Sequence, residues 1–166
     1  MSGTAGKRPG DGGAPRIGAH TIPHYVLSDL LPPGHLLVLN RDLALLSWLA
    51  PTWDAEPWPH VLLQEQFTRH EERILFPLLE NYPHFCPYEA LLACYSTGQI
   101  TDASLAWYRQ HLHEAQLAGT WTQEMRPIRA LLSRVRFKLR VFGLDVSSLF
   151  ETGYLLKQAE TKPQPL

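Results

Sequence analysis

Arg126-Pro127-Ile128-Arg129-Ala130-Leu131-Leu132-Ser133-Arg134-Val135-Arg136-Phe137-Lys138-Leu139-Arg140-Val141-Phe142 holds six of the chain's fifteen Lys and Arg residues and no Asp or Glu. At about 100° per residue, Ile128, Leu131, Leu132, Val135, Leu139 and Phe142 gather on one side of a helical wheel and the basic residues take the other. The pattern predicts a helix over 126–142 that docks by an apolar face and turns a cationic face outward. Such a face suits the DNA major groove, which admits one α-helix between rows of phosphate. Basic amphipathic helices also suit membrane surfaces and acidic partners, so the pattern alone leaves all three open.

Downstream, Gly143 is a natural helix stop, Leu144-Asp145-Val146 reads as a short strand, and Phe150 to Leu156 reads as a turn into a second strand. A basic helix followed by a hairpin is the outline of a winged helix. The residues themselves resemble the OmpR/PhoB-type effector-domain family: Leu131-Leu132-Ser133-Arg134-Val135-Arg136-Phe137-Lys138-Leu139, Gly143-Leu144-Asp145-Val146 and Gly153-Tyr154-Leu155-Leu156 look like its recognition helix and wing. Upstream, Phe67-Thr68-Arg69-His70-Glu71 followed by Ile74, Leu75, Leu78 and Leu79 is similar to the opening of the family's first helix. Thr68 and Glu71 have capping-box spacing. Phe85-Cys86-Pro87-Tyr88-Glu89-Ala90-Leu91-Leu92 resembles the entry to the second helix, where Pro87 is a permitted first-turn residue. The matches span residues 67–95 and 127–156 in the family's order.

The chain departs from the family in three places. Phe150 and Glu151 stand where the wing usually carries Arg and Gly, and Leu155 follows Gly153-Tyr154 in place of a basic residue. The wing therefore lacks positive charge, and Glu151 beside a phosphate would be repelled. The connection from Ser96 to Arg126 is about twice what the family loop needs, and a structureless loop of that length is unusual. Asp102 to Ala118 carries Leu105, Tyr108, Leu112 and Ala115 at helical spacing, with Thr101 or Asp102 as N-cap and Gly119 as stop, which predicts an inserted helix whose stripe packs on its own domain or, as the alternative, presents a surface to a second chain. Before the first helix, Leu36 to Asn40, Leu43 to Leu49 and Val61 to Leu63 can supply a short N-terminal sheet, although Leu43 to Leu49 reads equally well as a helix.

With 166 residues and 45% hydrophobic content, one core fits and a second full domain such as a receiver does not. The expected organisation is a disordered tail over 1–20, an N-terminal extension over 21–66, a winged-helix domain over 67–158 and a flexible end over 159–166. No secretory signal and no apolar run of about eighteen residues is present, which predicts a cytoplasmic protein without a membrane partner. The net charge of −1 argues against indiscriminate nucleic-acid binding, so affinity must come from a local patch, leaving Glu65, Glu71, Glu72 and Glu80 to face solvent or partner subunits.

Cys86 and Cys94 have no second pair and read as reduced, buried side chains. His111 and His113 point to different faces of a helix, and His20 with His24 lies in a Pro-rich stretch, so neither pair suggests a metal. The tryptophans at 48, 53, 58, 107 and 121 read as core and interface packing. No cofactor is expected. The enzyme reading fails because Ser133 has no base at helical spacing and no Gly-rich phosphate loop is present.

The fold expected is α+β, mainly α: a winged helix-turn-helix with a C-terminal hairpin wing, an inserted helix before the recognition helix and a short N-terminal sheet. The resemblance implies a bacterial transcriptional regulator that binds double-stranded DNA sequence-specifically. Arg129, Ser133 and Arg136 would meet the groove floor, and Arg126, Arg134, Lys138 and Arg140 the flanking phosphates. Protein partners in this reading are RNA polymerase, a regulatory protein or a second copy as a homodimer. The alternative is a winged-helix protein-protein interaction module that has lost DNA binding.

Overall fold

Leu43 to Leu49, ambiguous by periodicity, resolves mostly as a strand because both of its edges find partners. The computed structural model describes residues 22–52 and 58–160, and within them strand β3 (Leu45–Ala50) lies between β2 (Leu36–Asn40) and β4 (His60–Gln66). Leu46 stands opposite Leu39 on one side and Glu65 on the other. Leu43 and Ala44 belong instead to the turn, where the Asn40 side chain accepts a hydrogen bond from the Leu43 amide at 3.1 Å and Ala44 takes a φ of 51°. A two-residue strand β1 (His24–Tyr25) pairs with β2 and completes a four-stranded antiparallel sheet in the order β1-β2-β3-β4. Leu37, Leu39 and Leu46 point inward and are fully buried.

Helix α1 (Arg69–Asn81) opens on the expected capping box: the Glu71 amide donates to Thr68 Oγ1 at 3.2 Å, and the Thr68 amide donates to Glu71 Oε2 at 3.1 Å. Ile74, Leu75, Leu78 and Leu79 bury one face. Strand β5 (Cys86–Pro87) leads into α2 (Tyr88–Thr97), with Pro87 as its N-cap. Helix α3 (Asp102–Ala118), expected as an insertion, has the expected bounds, with Thr101 capping the Ser104 amide at 3.1 Å and Gly119 closing it in the left-handed region. Leu112 and Ala115 are buried, and Leu105 and Tyr108 lean on the core, so the stripe packs at home.

Helix α4 (Trp121–Leu139) begins five residues before the predicted start, with Pro127 inside it, and Arg140–Phe142 form a 3-10 turn that ends at Gly143 with φ 70°. Strands β6 (Leu144–Leu149) and β7 (Gly153–Gln158) form the C-terminal hairpin, and β5 joins β7 to give a three-stranded sheet in the order β5-β7-β6. Gly153 is required by close approach: a Cβ there would lie 2.1 Å from the Cys86 carbonyl oxygen. Among the described residues the fold is thus α+β, with four α-helices and two antiparallel sheets. One continuous apolar cluster joins Leu37 and Leu46 of the first sheet, the α1 and α4 leucines, and Leu144 and Leu156 of the second. No helix among the described residues is long and apolar enough to cross a membrane. The expected tail over 1–20, Trp53, His20 and most of the expected flexible end lie outside the described residues.

The expectation that Glu71 and Glu72 face solvent or partners is corrected. Both are buried, 3% and 1% exposed, because each has a cation of its own. Glu72 accepts from Arg41 Nε at 2.5 Å, and Arg41 also donates to the Gly98 carbonyl at 2.9 Å and lies 3.7 Å from the Phe76 ring centre. Glu71 accepts from Lys138 Nζ at 2.7 Å. Removing an ion from water costs several kcal/mol, which only a close and hydrogen-bonded counter-charge offsets. These two pairs fasten the β2–β3 turn, α1, the end of α2 and α4 together.

Candidate nucleic-acid interface

Met125, Ile128, Leu131, Leu132, Val135 and Leu139 bury one face of α4. The opposite face exposes Arg126, Arg129, Ser133, Arg134, Arg136 and Arg140, together with Ala130 and Phe137. At about 100° per residue, Arg126, Ala130, Ser133, Phe137 and Arg140 run down the middle of this face, with Arg129 and Arg136 on one flank and Arg134 on the other. Arg126, Arg129, Arg134 and Arg140 have no carboxylate within ion-pair distance among the described residues.

Two of the seven predicted contact residues have carboxylate partners within the protein. Lys138 is half-buried: its ammonium donates to Glu71 and to the Gln66 carbonyl at 2.8 Å, and sits 5.2 Å from the Phe67 ring centre. It cannot reach a phosphate without abandoning a buried carboxylate. Arg136 grips Asp145 of β6 at two points, Nε to Oδ1 at 2.8 Å and Nη2 to Oδ2 at 3.3 Å. The Arg136 fork holds the Asp145 carboxyl below its usual range against the opposing effect of burial, and the same bond raises the guanidinium. This pairing occupies two of the five guanidinium N–H donors and braces α4 against the hairpin.

The hairpin turn carries Phe150, 88% exposed, and Glu151, exposed with φ 53°, so its tip presents an aromatic ring and a negative charge. On the Arg129 flank, α4 forms one wall of an open groove of about 870 Å³, with α3 and the hairpin as the others. Arg109 and His113 of α3 line it, and nothing in the sequence pattern of α3 predicts that they share a groove with α4. Phe137, 74% exposed in the middle of the basic face, is a third residue that the sequence pattern passes over. Tyr88, at the base of the groove, has its phenol pushed above its ordinary value by burial, then by Tyr154, with Arg129 opposing.

The cysteines are free and buried as expected. Burial pushes the Cys94 thiol up to about 11 and that of Cys86 higher, so neither is a ready nucleophile. His111 pairs with Glu124 at 3.0 Å and stacks on Trp107, whereas His113 turns to the groove. No group of three or more His, Cys, Asp or Glu converges among the described residues. Trp48 and Trp121 lean on the core, while Trp58 and Trp107 are exposed. Comparison with protein-family models, with curated proteins and with solved structures finds no match to this chain.

Proposed function

We propose that the chain is a winged-helix regulator of the OmpR/PhoB type that binds double-stranded DNA through α4. The observation that carries this reading is the set Arg126, Arg129, Arg134 and Arg140: four exposed guanidinium groups without carboxylate partners among the described residues, on α4 and the 3-10 turn that ends it, with the opposite face of the helix locked into the core. A paired side chain gives up an ion pair to reach a phosphate, and these four have none to give up among the described residues. Support also comes from the order of elements, in which a four-stranded sheet, three helices, the basic helix and a hairpin follow one another. Ser133 and Arg129 then read base edges, Ala130 and Phe137 offer apolar contact to thymine methyls, and Arg126, Arg134 and Arg140 hold the backbone. Lys138 and Arg136 keep the helix in place.

Selection of binding sites from random duplex DNA at two salt concentrations tests the reading. An enriched motif is expected, with affinity falling by a logarithmic slope of about −0.9 for each of roughly three to four phosphates. An exposed Phe137 within the basic face and an exposed Phe150 beside Glu151 favour a second reading, a scaffold that meets an acidic protein surface with aromatic anchors. A selection that enriches no sequence at either salt leaves that reading and removes the first.

A further inference from the structure

The groove beside α4 has the size of a small-molecule site, about 870 Å³ against roughly 300–1,000 Å³ for such pockets. One wall is aromatic: Tyr88 meets Trp121 edge-on with centroids 5.2 Å apart and Tyr154 edge-on at 5.7 Å, and Leu112 and Leu132 add apolar surface. Three guanidinium groups line the same space. Arg109 is answered by Glu89 at 3.2 Å and Arg136 by Asp145 at 2.8 Å. Arg129 has no carboxylate among the described residues and stands 5.2 Å from the Trp121 ring centre. A fork-shaped cation beside an aromatic wall in a recess matches a ligand that is planar and aromatic at one end and a carboxylate or sulfonate at the other. The acidic lining does not oppose this, since Glu89 is matched by Arg109 and Glu151 lies at the exposed turn.

We propose that this groove binds a small planar aromatic anion, its ring against Tyr88 and Trp121 and its charged group on the Arg129 guanidinium. Arg129 and Ser133 also belong to the face assigned to DNA, so an occupant competes with duplex and acts as an effector. The site itself does not depend on the DNA reading, because the test needs no nucleic acid. The full chain is titrated with anilinonaphthalene sulfonate and with its neutral counterpart phenylnaphthylamine, following probe emission and tryptophan quenching. The sulfonate should bind saturably at one site and at least about tenfold tighter than the neutral probe, as expected for one charge-assisted contact. Arg129→Gln should weaken the sulfonate about tenfold and leave the neutral probe unchanged, and Ser133→Trp, which fills the groove from an exposed position, should block both. Circular dichroism melts check that both variants stay folded. Equal affinity for the two probes, or sulfonate binding that survives both substitutions in folded protein, overturns the proposal.

Discussion

Lys138 and Arg136 show what a charge pattern on one helix leaves out, namely the partners that each cation finds elsewhere in the fold. Both lie within the basic run, yet Lys138 answers Glu71, which is 67 positions away in sequence, and Arg136 answers Asp145 on the next element. No spacing rule on α4 exposes either partner. Lys138→Ala would leave the buried Glu71 carboxylate with only the Thr68 amide of its two partners, and should cost about 1–3 kcal/mol of stability in urea unfolding. Duplex affinity measured well below the melting temperature should change little. A variant that melts with the wild type but loses DNA binding would return Lys138 to the phosphate role. Asp145 gives a pH prediction. Its folded pKa is depressed, so its pairing contributes stability that is present above the unfolded value of about 3.9 and is lost as pH falls through the folded value. Wild type should therefore lose more stability than Asp145→Asn between about pH 6 and about pH 3. Equal losses would mean that the Arg136 fork adds nothing to folding.

At the level of elements, legibility follows how local the signal is. Helices α1 and α3 were readable because their caps are written within a few residues: Thr68 with Glu71 in α1, and Thr101 with Gly119 at the two ends of α3. The hairpin was readable from Gly143 and Gly153, one needed for a positive φ and the other for close approach to Cys86. The start of α4 was not, because Thr120 makes no side-chain cap and the turn from Trp121 to Met125 lies before the basic run. Strand β1, two residues long, has no periodicity to detect and exists through its pairing with β2. Of the candidate site, the exposed arginines were legible from the wheel, whereas the groove was not, since it needs α3 and the hairpin brought to one side of α4. The hairpin also carries a prediction. Glu151→Arg adds a cation beside the α4 face at an exposed turn, so it should raise non-specific duplex affinity and steepen the salt slope by about 0.9. Unchanged affinity at low salt would mean that the turn stays away from the backbone of bound DNA.

For the whole molecule, the division into an N-terminal extension and a winged-helix domain meets a single apolar cluster that runs through both sheets and the helices between them. Leu39, fully buried in the first sheet, and Leu156, 3% exposed in the second, share that cluster with Leu75 and Leu139. The buried pairs Arg41 with Glu72 and Lys138 with Glu71 join the same parts by charge. A shared core predicts cooperative unfolding as one unit. Trp48 reports on the first sheet and Trp121 on α4, and tryptophan fluorescence and far-ultraviolet dichroism should trace coincident urea transitions. Leu39→Ala and Leu156→Ala should each cost about 2–5 kcal/mol and should each move that one transition to lower urea for both probes. Two resolved transitions, with Leu39→Ala shifting only the first and Leu156→Ala only the second, would show that the sheets fold as separate units, and the basic helix would then owe its rigidity to the C-terminal sheet alone.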